Sequence, residues 1–343
     1  MYRLSLAGGS SWPSHFVLSH YGPVLVAGRQ HSGNTVLSVL LGRLPGWYAQ
    51  SDESTLLEMH GLIDGMQDVE ARSTSMITAI GLEDPEQAQW LDDFVARRWQ
   101  EQSNLPALTL WHEAMDGVTA RRGDVRWAQK GTSYIFYGRE ILKAWPNARL
   151  IYMLRNPWDL VASRRRRNPK MEAVASTLIS WAKGLKLARA LERDVPDRFR
   201  LVRYEDLTGN GAETVRSLCQ WLQTPFDEEC LDVPHVNPSD NPYVLESETR
   251  GLNRSRLYQY VEQLRPHEVA AVDQALGVLG ARALAAHYYP ALPHEIAKHG
   301  VLTKFRAWAG LSVAPLRYAW VYLTFLKRSP KHIVARTWRR LRG

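Results

Sequence analysis

A chain of 343 residues can bury a substantial core in one large α/β domain or two smaller ones. Its 45% apolar content excludes global disorder, and its two cysteines, Cys219 and Cys230, give neither a disulfide framework nor a metal-binding spacing. The net charge of +8 suits an anionic ligand, nucleic acid or an anionic membrane surface without choosing among them.

Residues 1–21, with Gly8-Gly9-Ser10-Ser11 and Pro13, read as an irregular lead-in that lacks the apolar core of a signal peptide. No run reaches the length of an uninterrupted membrane span. A reducing, cytoplasmic setting is therefore expected.

The apolar run Val24–Ala27 reads as a strand, and Val36–Leu41 as a helix closed by Gly42. Between them stands Gly28-Arg29-Gln30-His31-Ser32-Gly33-Asn34-Thr35. The spacing Gly-x-x-x-x-Gly-x-Thr is the frame of a P-loop. Gly28 and Gly33 permit the sharp turn, and the first amides of the helix suit an anion. A nucleotide triphosphatase needs Lys after the second glycine. Here that residue is Asn34, and the basic groups sit inside the loop at Arg29 and His31.

Trp47–Gln50 is a second strand, followed by the acidic Ser51-Asp52-Glu53-Ser54. Ligands of open α/β sheets gather at the carboxyl ends of strands, so Asp52 and Glu53 are expected at the edge that holds the loop. Capping of the next helix is their competing role. Residues 55–123 are mostly helical in pattern, with Trp90, Leu91, Phe94, Val95 and Trp99 on one face of Gln87–Gln102. They show no chemistry and are expected to cover the sheet or shape an acceptor pocket.

Arg126–Gln129 reads as a third strand ending in Lys130-Gly131-Thr132, with a helix over Tyr134–Trp145. Arg149–Leu154 is the clearest strand, apolar without strict alternation, as in a strand covered on both faces. It runs into Arg155-Asn156-Pro157-Trp158-Asp159-Leu160-Val161-Ala162-Ser163, with Pro157 suited to a first helical turn. Arg164–Arg167 then read as a solvated helix end. A long helix over 171–193, a fifth strand Phe199–Arg203 and an amphipathic helix Ala212–Leu222 follow. Pro225–Asn253 is a long loop, with Arg254-Ser255-Arg256 at its end, and a helix is expected over Pro266–Leu279. The tail 304–343 is basic and aromatic, suited to an anionic membrane surface or to packing on the domain or a second copy. The thirteen tryptophans have no reading from pattern alone.

Five strand-like runs alternating with helices predict a three-layer, P-loop-containing α/β fold. Its central, mainly parallel five-stranded sheet would be flanked by helices. Together with a phosphate loop after the first strand and Arg155…Ser163 after the fourth, the set resembles the sulfotransferases that use 3′-phosphoadenosine 5′-phosphosulfate (PAPS). Residues 28–35 look like that family's 5′-phosphosulfate loop, and Arg149–Ser163 like its 3′-phosphate motif. Val202-Arg203-Tyr204-Glu205-Asp206-Leu207 is similar to the bacterial and Golgi-type members. Three positions depart from the family pattern: His31 for the usual Arg or Lys, Asn34 for a hydroxyl residue, and Lys130-Gly131-Thr132 for Lys-x-Pro.

The resemblance implies one domain over 22–290, flanked by the lead-in and by a helical C-terminal extension over 291–343. It implies that Arg29, Gln30, His31, Ser32, Gly33, Asn34 and Thr35 hold the 5′-phosphosulfate. Arg155 and Ser163 would hold the 3′-phosphate, and Arg254, Ser255 and Arg256 would close over the same phosphates. Lys130 would stabilise developing charge. The base would be Asp52 by ungapped counting or Glu53 by reach, with His31 next. No metal is implied, and the acceptor is expected to be a hydroxyl of a glycan or glycolipid, ahead of tyrosine or a small metabolite. A P-loop kinase or NTPase, and a non-catalytic polyanion- or membrane-binding protein, are the competing classes.

Overall fold

Strand β1 (Val24–Gly28) runs through the middle of the molecule with all five residues buried. The computed structural model describes residues 21–50, 54–82, 84–167, 174–234, 250–291 and 300–302. The basic tail 304–343, the lead-in up to residue 20, Asp52 and Glu53 lie outside them. The other strands are β2 (Trp47–Gln50), β3 (Arg126–Gly131), β4 (Arg149–Leu154) and β5 (Phe199–Arg203). They form one sheet in the order β2-β3-β1-β4-β5, with every pairing parallel.

Parallel neighbours need crossover connections, and helices supply them. In chain order these are α1 (Asn34–Gly42), α2 (Leu56–Asp64), α3 (Val69–Ile80), α4 (Pro85–Glu101), α5 (Ala107–Arg121), α6 (Gly138–Ala144), α7 (Pro157–Arg167), α8 (Val174–Asp194), α9 (Tyr204–Gly209), α10 (Gly211–Leu222), α11 (Tyr260–Gln263), α12 (Pro266–Val278) and α13 (Arg282–Tyr288).

Alternation along the strands divides the core into two layers. Leu25, Ala27, Leu150, Tyr152 and Leu154 face one layer. Val24, Val26, Ile151 and Met153 face the other, which packs on Leu37, Leu40 and Leu41 of α1 and on Val215, Leu218 and Leu222 of α10. Two covered faces explain why β1 and β4 read as unbroken apolar runs. The larger layer also explains the tryptophans. Trp99, Trp111, Trp127, Trp158 and Trp181 are among its largest fully buried side chains. Buried indoles need partners for their N–H groups, and four of these donate: Trp99 to the Leu105 carbonyl, Trp127 to Asp116, Trp158 to the Val269 carbonyl and Trp181 to the Arg155 carbonyl.

The structure corrects several local expectations. The helix read over Tyr134–Trp145 is split into a 3₁₀ turn, Tyr134–Tyr137, and α6. The tighter turn buries Tyr134, Ile135 and Tyr137 together, and the Tyr134 hydroxyl donates to Gln129 at 2.7 Å. Helices α9, α11 and α13 are too short to announce themselves by period. The long loop after Pro225 contains a 3₁₀ turn, Glu228–Leu231, and an antiparallel bridge between Pro234 and Arg250. The arginine run after Ser163 is not simply a solvated end. Arg164 donates to Gln30 and Arg166 to Gln259, and Arg165 reaches Glu268 and the Gln263 carbonyl. Among the described residues no single helix is long and apolar enough to cross a membrane.

Candidate active site

In this strand order, the chain leaves β1 toward β2 on one side and later crosses to β4 on the other. The carboxyl ends of β1 and β4 therefore flank the switch point where such sheets bind ligands. The turn after β1 is held by the Ser32 amide donating to the Arg29 carbonyl at 3.0 Å. Gly33, the residue before α1, adopts φ 95° and ψ 12°, a left-handed conformation that disfavours any side chain. Helix α1 has no side-chain hydrogen bond at its N-cap. The Ser32 hydroxyl and the Asn34 Oδ1 are buried without a partner beside it. A Cβ at Gly28 would lie 2.3 Å from Asn34 Oδ1 and 2.7 Å from the Met153 carbonyl, so only glycine fits the floor. Buried polar atoms are normally satisfied; the orphaned Ser32 hydroxyl, a donor beside a helix N-terminus, fits an oxyanion, whereas Asn34 Oδ1 can only accept.

Asn34 takes a role that a lysine could not. Its Nδ2 donates to the Gly28 carbonyl at 2.9 Å and closes the neck of the loop. His31 sits at φ 73°, where residues with a side chain are uncommon, and its carbonyl turns toward β4. Gln30 is exposed and accepts from Arg164.

Arg155 follows β4 and is buried, at 6% exposure. Its Nη1 donates to the His31 carbonyl at 3.0 Å and its Nη2 to the Arg256 carbonyl at 2.5 Å. The Tyr204 ring lies under the guanidinium, 4.4 Å from centroid to Cζ. Arg155 Nε is buried with no partner. Its own carbonyl is fixed by the Trp181 indole at 3.0 Å. Ser163 is buried on α7, one turn beyond Asp159 and on the same face.

Of the late triplet, the three side chains part company. Arg254 donates to the Thr208 and Gly209 carbonyls at 3.1 and 2.6 Å and caps the end of α9. Ser255 donates to Asn253 at 2.6 Å. Arg256 meets Arg155 through its main-chain carbonyl, and its charge, like that of Arg155, opposes the burial that pushes the Tyr204 phenol up.

Lys130 is half-buried on β3, in register with Val26. Alternation puts it on the side of Ala128, the α1 face. Arg29, Thr132, Ile135, Phe136, Tyr152 and Ser180 line a recess of about 270 Å³, counting its open mouth. Burial pushes the Tyr152 phenol well above its usual range, and the positive charge of Arg29 opposes that shift.

Asp52 and Glu53 lie outside the described residues; the residues that flank them in sequence, Gln50 and Ser54, are described. Gln50 Nε2 donates to the Ile80 and Gly81 carbonyls at 2.9 and 3.0 Å, and Gln129 donates to Gln50. Ser54 Oγ donates to the Ala79 carbonyl at 2.8 Å and accepts from the Leu56 amide at 3.1 Å. The first amide of α2 is thus served by Ser54.

Three buried acids escaped the sequence reading. Asp159 accepts from Asn156 Nδ2, at 2.9 Å, and from the Tyr258 and Tyr260 amides. Glu205 accepts from the Asn156 amide and side chain at 3.0 and 3.1 Å and from Tyr289 at 3.0 Å. Burial raises its pKa, and the bond from the Asn156 amide works against that rise. Glu58 accepts from Ser133, just past Lys130-Gly131-Thr132. Asp159 and Glu205 both lie inside recognisable motifs, and an acid within an apolar or helix-starting run was the available signal.

A family model described as "Sulfotransferase family" matches residues 23–228. No curated protein matches the chain. Among solved structures, the sulfotransferase domain from the Synechococcus PCC 7002 olefin synthase superposes with a TM-score of 0.53 at 21% identity, covering 82% of this chain and 98% of that one. The sulfotransferase domain from the curacin biosynthetic pathway does so at 0.52 and 18% identity, covering 72% of this chain and 92% of that one. At these identities the likeness is one of fold. The family match spans more than half of the chain and includes both the loop after β1 and the Arg155–Ser163 motif, so the protein belongs to the sulfotransferase family.

Proposed function

We propose that residues 28–35 and Arg155–Ser163 hold PAPS between them, and that the chain passes its sulfuryl group to a hydroxyl of a glycan or glycolipid. The observation that carries this reading is the 3.0 Å bond from Arg155 Nη1 to the His31 carbonyl, which ties two phosphate-type motifs 124 residues apart at one sheet edge. PAPS, when bound, supplies an activated sulfuryl group and a stable leaving nucleotide. The amides at the start of α1 and the orphaned Ser32 hydroxyl suit the 5′ end. The unpartnered Nε of Arg155, with Ser163 and Arg256, suits the 3′-phosphate.

Glu53, or Asp52 in its place, takes the proton of the acceptor hydroxyl. Lys130 puts positive potential where charge grows on the leaving oxygen. Positioning and electrostatics supply the rate, with no metal required. The recess beside Arg29 has room for about one water, so the glycan reading rests on the family resemblance and not on this recess. The basic tail 304–343 would hold the enzyme near an anionic membrane that carries such acceptors.

Two measurements test this. Adenosine 3′,5′-bisphosphate should stabilise the protein far more than AMP, by about 2.7 kcal/mol at 100 times its dissociation constant. Equal shifts would overturn the 3′-phosphate assignment, and a preference for ATP with magnesium over the bisphosphate would favour a P-loop kinase. Labelled PAPS offered with pooled glycan, tyrosyl-peptide and small-alcohol acceptors should sulfate the glycans. Label on peptide alone would overturn the acceptor class.

A further inference from the structure

We propose that Asp159 is a positioning residue for 3′-phosphate recognition: a buried latch that holds the segment Arg254–Gln263 against Arg155. The inference rests on the reading of Arg155 given above.

The Asp159 carboxylate is 1% exposed, so its charge must be compensated locally. Its Oδ2 accepts from Asn156 Nδ2 at 2.9 Å and from the Tyr258 amide at 2.8 Å, and lies 3.7 Å from Arg155 Nη2. Its Oδ1 accepts from the Tyr260 amide at 2.9 Å. Both captured amides are main-chain groups of the late segment, about a hundred residues away. For both to reach one carboxylate, the chain between them must turn sharply, and Tyr258 stands at φ 54°. A bulky residue persists there only when its surroundings compel it.

The same carboxylate therefore sets two things. It orients the Arg155 fork from behind, and it fixes the Arg256 carbonyl that receives Arg155 Nη2. Without it, Arg155 keeps its bond to His31 but loses the frame that aims its remaining edge. A plain core acid would have no reason to spend both oxygens on the backbone of a segment that borders the arginine. Helix α7 grips this segment independently through Arg165 to the Gln263 carbonyl and Arg166 to Gln259. The segment should thus stay docked, but loosened, in an Asp159→Asn variant.

The test compares ligands that differ only at the 3′ position. In Asp159→Asn the affinity for adenosine 3′,5′-bisphosphate should fall about 10- to 100-fold, the range of a lost charged hydrogen bond, with AMP affinity within about twofold of the parent. Amide exchange at Tyr258 and Tyr260 should accelerate in the variant. A second measurement needs no variant: in the parent, adenosine 3′,5′-bisphosphate should slow exchange at those two amides, and AMP should not. If both ligands weaken equally in Asp159→Asn, or both slow exchange equally in the parent, Asp159 is only structural and the proposal falls. Arg155→Ala separates the two levels. If it retains the preference for the bisphosphate, the 3′-phosphate assignment itself is wrong. If it abolishes the preference while Asp159→Asn preserves it, only the latch is wrong.

Discussion

Replacing Gly33 by Ala probes the phosphate loop and its neighbour in one step. The backbone at Gly33 is left-handed, and an L side chain there costs about 1–2 kcal/mol from its own carbonyl contact. The added Cβ would also lie 2.6 Å from Tyr204 Cδ2 and 3.1 Å from Cε2, inside contact distance. Overpacking of that kind costs roughly a further 1–3 kcal/mol. Gly123 offers an internal reference: its φ is 81°, and a Cβ there would meet nothing within 4 Å. Gly123→Ala therefore carries strain alone, about 1–2 kcal/mol. Both variants gain the same reduction in unfolded-chain entropy, about 0.4–1 kcal/mol, so it cancels in their difference. Urea denaturation should show Gly33→Ala less stable than Gly123→Ala by at least about 1 kcal/mol. Because Tyr204 lies beneath the Arg155 guanidinium, Gly33→Ala should also weaken adenosine 3′,5′-bisphosphate binding, and Gly123→Ala should not. Equal stabilities, or an unaltered affinity in Gly33→Ala, would refute the tight packing of loop, Tyr204 and Arg155.

Glu53→Gln should lower turnover by about 100-fold or more at unchanged adenosine bisphosphate affinity, while Asp52→Asn stays mild; the reverse pattern moves the base to Asp52, and two near-parental variants move it to His31. Burial raises the Glu205 pKa, so the folded state binds that proton more tightly than the unfolded chain. Its stabilising share is complete below the unfolded value, about 4.3, and is lost as pH rises through the folded value. The melting temperature of the parent, relative to Glu205→Gln, should thus decline from about pH 4 upward, and a rise over that range would contradict the assigned direction. Arg126 donates to the Leu222 and Gln223 carbonyls at 2.7 and 2.9 Å, and Arg126→Ala should cost about 2–5 kcal/mol in urea denaturation. A loss below about 1 kcal/mol would mean that Arg149, which also donates to the Leu222 carbonyl at 3.0 Å, suffices there and that the Gln223 carbonyl finds water at no cost.

Local signals were strong where neighbours in sequence decide the outcome. Strands Trp47–Gln50, Arg149–Leu154 and Phe199–Arg203 have the bounds that their apolar runs indicate. The glycine spacing after β1 reads directly as a turn into a helix, because Gly28 and Gly33 are demanded by backbone geometry and close contact. The three-layer α/β architecture follows from alternating strand and helix patterns, which leave few other ways to bury every apolar face.

Other features depend on partners distant in sequence, and period or propensity carries no trace of them. Asn34 closing on Gly28, where a lysine would project outward, is a matter of loop geometry. Arg254 reads like Arg256 in the sequence, yet the Arg254 side chain caps α9 while Arg256 offers Arg155 its main-chain carbonyl. The tryptophans gain a role only once the larger core layer exists for them to fill.

The amino-acid sequence by itself determined the five strands, the longer helices, the phosphate-type loop and the arginine motif after β4, since each is written in residues close along the chain. Only the tertiary structure decided that β1 lies between β3 and β4, which brings His31, Arg155 and Arg256 together at one edge. It alone turned Asp159 and Glu205 from ordinary helix-start acids into buried acceptors. Strand order and buried polar pairing are settled by complementarity between distant surfaces, and a linear pattern does not contain that information.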